Sequence, residues 1–179
     1  DDEVLNVPSN FSMVETGLYR SSFPRTKNIP FIKQLGLKMV ISLVLEDYPD
    51  KLLEFYKKYD IKLVTHGFEG NKGPFKGINI DEFIVCLKDV LNPENHPILI
   101  HCNKGKHRTG CVVACLRRYR SWALSSCLHE YLFFSAPKSR LEDQRFIESF
   151  DIKLLNAYKD QIVDTAEVTR ECEEGEAHG

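Results

Sequence analysis

A chain of 179 residues with 42% hydrophobic content and a formal charge of −2 is long enough for one domain with a proper core. It has no apolar run that could span a membrane, no basic-plus-apolar leader and no nucleic-acid motif, so neither a membrane nor a nucleic-acid partner is expected. The charge is uneven: residues 1–3 carry −3 and residues 165–179 net −4, so the body is +5 within a total of −2. A mildly basic body suits an anionic ligand.

In chain order, residues 4–10 read as an extended lead-in broken by Pro8, and Leu18 to Ser21 as a first strand. Asn28 through Leu35 reads as a short helix ended by Gly36. Lys38 to Leu45 is apolar and β-branched, a second strand; Asp50 to Tyr59 is an amphipathic helix and Ile61 to Thr65 a third strand. Residues 66–77 hold four glycines and a proline and should be a surface loop. A long helix follows over Ile78 to Leu91, stopped by Asn92 and Pro93, then a buried strand over Ile98 to Ile100 and a breaker-free helix after Thr109. Arg117, Arg118 and Arg120 fall at the far end of that helix and should satisfy its C-terminus. Two more helices are expected over Ser125–Ser135 and Ser139–Phe150, each N-capped by its serine, the second with Glu142 in capping-box position. Trp122, Leu128, Tyr131, Leu132, Phe146 and Phe150 should close the core. Strands interleaved with helices imply a three-layer α/β/α architecture around a mostly parallel sheet. A single domain over residues 1–164 would precede an acidic tail at 165–179.

The chain is organised around His101-Cys102-Asn103-Lys104-Gly105-Lys106-His107-Arg108-Thr109-Gly110, a turn between the buried strand and the long helix. A loop entering a helix N-terminus aims several unpaired N–H groups at one spot, where the helix dipole adds positive potential. An anion belongs there, and the same field favours Cys102 as a thiolate, the competent nucleophile. Arg108 can hold two phosphoryl oxygens with its planar fork, and Thr109 can steady the sulfur as it leaves. These parts describe two-step phosphoryl transfer through a phosphocysteine with no metal and no cofactor. Cys111 and Arg117 repeat the spacing inside the helix, without the glycine or the strand, and can form no cradle. Cys86, Cys111, Cys115 and Cys127 read as small buried hydrophobes. Six cysteines without a regular spacing, one needed as a thiolate, point to a reducing compartment, cytosolic or nuclear.

The string His101-Cys102-x-x-Gly105-x-x-Arg108-Thr109 resembles the signature loop of the protein tyrosine phosphatase superfamily. The longer run to Cys111 resembles the plant-and-fungal atypical dual-specificity phosphatases, whose better-supported substrates are inositol pyrophosphates. Gly17-Leu18-Tyr19-Arg20-Ser21-Ser22-Phe23-Pro24, Gly70-Asn71-Lys72, Ala136-Pro137-Lys138-Ser139-Arg140 and Asp143-Gln144-Arg145-Phe146 match as well; Gly73 departs, standing where the family pattern has an acidic residue. The resemblance implies a cysteine-based, dual-specificity-like phosphatase fold with Cys102, Arg108 and Thr109 catalytic. Substrate would be bound by Asn103, Lys104, Gly105, Lys106 and His107 on the cradle loop and by Asn71 and Lys72 on the facing one. His107 could equally pack beneath the loop, and Lys138 and Arg140 could either reach substrate or cap a helix and pair with Asp143.

The facing loop takes the place of the one that supplies an aspartate general acid in ordinary tyrosine phosphatases. It has no aspartate, and Glu69, its sole carboxylate, is either the acid or a solvated residue. A serine alkoxide needs a proton to leave, whereas a phosphate leaving group, with a second pKa of about 6, does not. A polyanionic small molecule, an inositol pyrophosphate cleaved at its β-phosphate, is therefore expected ahead of a phosphoprotein. A protein dual-specificity phosphatase and a non-catalytic phosphate-binding module are the alternatives.

Overall fold

The computed structural model describes residues 5–72 and 77–156; Gly73, Lys76 and the acidic tail lie outside them. Among the described residues five short strands form one sheet: β1 (Ser12–Glu15), β2 (Leu18–Ser21), β3 (Met39–Ser42), β4 (Lys62–Thr65) and β5 (Ile98–His101), in the order β1-β2-β5-β3-β4. Only β1 runs antiparallel, as an edge strand against β2. Every residue of β3 and β5 is buried, as befits strands covered on both faces.

The pleat sends alternate side chains to two cores. Met39, Ile41, Ile98 and Ile100 face α3 (Ile80–Leu91), α4 (Arg108–Tyr119), α5 (Leu124–Ser135) and α6 (Leu141–Ser149), while Val40 and Leu99 face α1 (Ile29–Gln34) and α2 (Asp50–Lys58). This is the expected three-layer α/β/α arrangement. α4 lies in the middle of the larger layer, with Thr109 to Arg117 buried without interruption. α3 is set by its own sequence: the Asn79 side chain accepts from the Asp81 and Glu82 amides, and both acids sit in the positive first turn.

Register fixes the functional edge. Ser21 of β2 and Ser42 of β3 both pair with His101 of β5, so three strands end level. The loops that follow them start side by side, the position where parallel sheets present ligands.

Several local expectations are corrected. The second strand stops at Ser42 rather than Leu45 because the Leu43 carbonyl turns to Arg108. Edge strand β1 has one buried residue, Val14, too weak a pattern to read. Neither α5 nor α6 is capped by serine: their N-caps are Ala123 and Arg140, and the Arg140 amide donates to the Tyr131 hydroxyl over 3.2 Å. Trp122 is 45% exposed under the Arg117 guanidinium, and Leu132 is 40% exposed because α5 buries the stripe Cys127, Tyr131, Ser135 instead. The three arginines tie other elements rather than closing α4: Arg117 grips Glu130, Arg120 grips Glu15, and Arg118 donates to the Ile147 and Phe150 carbonyls at the end of α6.

Candidate active site

The loop from Cys102 to His107 is shaped by its carbonyls. The Asn103 carbonyl accepts from the Phe23 amide over 3.1 Å. Asn10 Nδ2 donates to the carbonyls of Lys104 and Gly105 over 3.4 and 3.0 Å. Arg20 Nη2 reaches the Gly105 carbonyl over 3.0 Å. In a planar trans peptide the N–H of the next residue points opposite to the carbonyl. Three successive carbonyls held toward the β2 side therefore turn the amides of Lys104, Gly105 and Lys106 the other way, as a phosphate cradle needs.

Gly105 is dictated by two constraints. Its φ is +66°, and a Cβ there would lie 2.5 Å from the Ser21 carbonyl group. The loop thus passes against the end of β2 closer than any side chain allows.

Cys102 is 4% exposed at the mouth of this turn. Arg108, first residue of α4, donates through Nη1 to the carbonyls of Leu43 and Phe68 over 2.7 and 3.4 Å. These contacts orient the guanidinium and leave Nη2 and Nε for a ligand. Thr109 Oγ1 is buried without a hydrogen-bond partner among the described residues, the sulfur of Cys102 included. A buried hydroxyl left unmatched costs roughly 1–3 kcal/mol, stability forgone at a site built for something else.

His101 sits behind the nucleophile, fully buried. Its Nδ1 meets the Cys102 carbonyl over 3.2 Å, and a carbonyl can only accept, so Nδ1 carries the hydrogen and Nε2 accepts from the Tyr48 hydroxyl. Burial pushes this imidazole down to about 4 and keeps it neutral. Arg20 is also buried, its guanidinium stacked 3.9 Å above the Phe134 ring. Burial lowers it to about 10, while Glu130 and Cys102 oppose the shift. It remains a cation beneath the loop.

The remaining residues divide. Lys72, Asn103, Lys104, His107 and Arg108 line one cavity of about 390 Å³ together with Cys102, Lys138 and Arg140. Asn103 also donates to Glu46 over 2.9 Å, a contact that holds the Glu46 carboxyl below its usual range. His107 donates through Nε2 to the Lys138 carbonyl over 2.6 Å, and burial lowers its pKa. Lys106 donates to the Ala136 carbonyl and lies outside this cavity. Asn71 is buried, with Nδ2 on Asp143 over 3.0 Å and Oδ1 taking the Ile78 amide, so its side chain is committed to holding the loop. Asp143 in turn accepts from the Tyr131 hydroxyl over 2.6 Å and forms no ion pair with Lys138 or Arg140. Asn10, Arg20, Glu46, Tyr48 and Asp143 support the site and carry no motif of their own; Arg20 and Asp143 stand inside family-matching segments, which was their sole signal.

Among the described residues no group of three His, Cys, Asp or Glu side chains is arranged to hold a metal, and no helix is long and apolar enough to cross a membrane. Residues 5–168 match a family model described as the tyrosine phosphatase family. The chain is 50% identical over 150 residues to inositol diphosphatase DSP3 of Arabidopsis thaliana, covering 84% of this chain and 74% of the relative. It is 49% identical over 148 residues to inositol diphosphatase DSP1 of Oryza sativa subsp. japonica, covering 83% and 67%. The core catalytic domain of the PP-IP phosphatase SIW14 from S. cerevisiae, solved with citrate, superposes with a TM-score of 0.81 at 42% identity, covering 88% of this chain and 96% of that one. A cysteine, an arginine and a glycine-bent loop at the level ends of three strands, matched over nearly the whole length, make this chain a member of the tyrosine phosphatase family.

Proposed function

We propose that the protein is an inositol pyrophosphate phosphatase that removes the terminal phosphate through a phosphocysteine. One observation carries this reading: the described lining of the catalytic cavity holds five permanent cations, Lys72, Lys104, Arg108, Lys138 and Arg140, and no carboxylate. One phosphotyrosine needs a cradle and one arginine, whereas a ring crowded with phosphates can engage all five. The inositol diphosphatase names of relatives about 50% identical support the same substrate class.

In the first step the Cys102 thiolate attacks the terminal phosphorus, and the bond to the bridging oxygen breaks. That oxygen departs with the electron pair as a phosphate still attached to the ring. The amides of the cradle and the fork of Arg108 hold the equatorial oxygens as charge redistributes. The leaving group is already a phosphate, so no strong proton donor is required. In the second step water attacks the phosphocysteine, the S–P bond breaks, the water oxygen and its protons leave in inorganic phosphate, and the sulfur returns as a thiolate. A nucleophilic cysteine has to stay unoxidised, and on that ground we propose a reducing compartment, cytosol or nucleus.

The test compares kcat/KM for an inositol pyrophosphate with values for phosphotyrosine and phosphothreonine peptides, with Cys102→Ser as the inactive control. A preference of tenfold or more for the pyrophosphate is expected. A peptide preference would establish a protein phosphatase instead.

A further inference from the structure

A second and larger cavity, about 790 Å³, opens on the other side of the cradle loop. Its lining includes Phe23, Arg25, Lys27, Asn103, Lys104 and Lys106, and among its described residues there is no carboxylate. Asn103 and Lys104 line both cavities, so the two meet across the rim of the loop with Lys104 on the ridge.

Arg25 and Lys27 are exposed and form no ion pair among the described residues. Their backbone is nevertheless fixed. The Arg25 amide donates to Asn28 Oδ1 over 2.8 Å, Asn28 Nδ2 donates to the Asn6 carbonyl over 2.8 Å, and Asn28 itself is buried. The segment begins where β2 ends, and its Phe23 amide is bonded to the cradle through Asn103. Two unpaired cations are thus held on a braced turn attached to the catalytic loop. Nothing in the chemistry of the scissile bond uses them.

Given the inositol pyrophosphate reading, on which this inference rests, we propose that the larger cavity is a second phosphate subsite. It receives ring phosphates remote from the scissile anhydride, with Arg25 and Lys27 as specificity-determining residues and Lys104 contacting the ligand from between the two cavities. A ligand with one phosphate fills only the cradle. A polyphosphorylated ring extends past Lys104 and gains the additional cations.

The experiment uses Arg25→Ala/Lys27→Ala with three readouts: kcat/KM for p-nitrophenyl phosphate, KM for an inositol pyrophosphate, and the inhibition constant of inositol hexakisphosphate against p-nitrophenyl phosphate turnover. The expected result is unchanged p-nitrophenyl phosphate hydrolysis, with the KM and the inhibition constant each raised about tenfold. Positive charge at these two positions, rather than the identity of either side chain, is what the subsite requires, so the exchanged-cation variant Arg25→Lys/Lys27→Arg should restore most of both. Unchanged constants in the double alanine variant would overturn the subsite, as would an equal loss on all three readouts, which would mean a damaged cradle. The hexakisphosphate readout needs no pyrophosphate turnover. If the wild-type protein preferred phosphopeptides, the substrate reading would fall while the subsite was still tested.

Discussion

Arg20 Nη2 donates to the carbonyl of Gly105 over 3.0 Å, which ties a buried guanidinium directly to the residue that bends the catalytic loop. Its Nε and Nη1 have no hydrogen-bond partner among the described residues. The side chain is therefore costly to bury and gives back one oriented peptide plane and a positive charge under the cradle. Arg20→Met should lower kcat/KM for p-nitrophenyl phosphate tenfold or more while shifting the melting temperature by only a few degrees in either direction. Steady-state kinetics beside a calorimetric scan separates the two. A large stability loss with intact activity would contradict this role.

Gly105→Ala meets the Ser21 backbone at 2.5 Å in a left-handed conformation. The loop has to move, because its other neighbour is main chain and cannot yield. We expect a loss of about 2–4 kcal/mol in urea unfolding and at least a hundredfold loss of turnover.

Removing the Asp143 carboxylate strands two buried groups, the Asn71 amide and the Tyr131 hydroxyl. Asp143→Ala should cost about 3–5 kcal/mol. Tyr131→Phe, which removes the hydrogen bonds to Asp143 and from the Arg140 amide but leaves the ring against Gly110, should cost about 1–3 kcal/mol. Because Asn71 precedes Lys72, this milder variant should raise KM for a polyanion more than it lowers kcat.

His101 supplies a pH dependence. Its folded-state pKa is lowered to about 4, below the ordinary 6.5, so the unfolded chain takes up a proton first as the solution is acidified. Its contribution is fully present above about pH 6.5 and is lost as pH falls toward 4, amounting to about 3 kcal/mol across that window. Urea titrations between pH 4 and 7 should show this slope, and His101→Asn should flatten it. A slope unchanged in the variant would place its origin elsewhere.

Much of the architecture was readable because it depends on short-range pattern. The apolar run at Ile98–Ile100, the breaker-free helix after Thr109 and the loop between them need only neighbours in sequence. What escaped depends on distant partners. Asn10 and Arg20 bond Gly105 across 95 and 85 residues, Asn71 meets Asp143 across 72, and Asn103 meets Glu46 across 57. An asparagine or arginine looks the same in sequence whether it is solvated or braced. The same limit explains Arg117, Arg118 and Arg120, whose positions suggested the end of their own helix and whose partners lie on α5, α6 and β1. It also explains Trp122, apolar by composition yet spread on the surface beneath an arginine.

The level termination of β2, β3 and β5 separates the chemistry of this protein from its choice of ligand. The sulfur and its arginine leave from the middle strand, while the neighbouring segments at 22–28 and 43–49 hang from the flanking strands and reach the same ground by independent routes. Leu43 and Tyr48 on one flank and Phe23 on the other brace Arg108, His101 and the cradle, whereas Arg25 and Lys27 further along the β2 flank can be rewritten without touching the reacting atoms. Transplanting residues 25–27 between relatives should carry ligand preference with it and leave the rate on a minimal ester where it was.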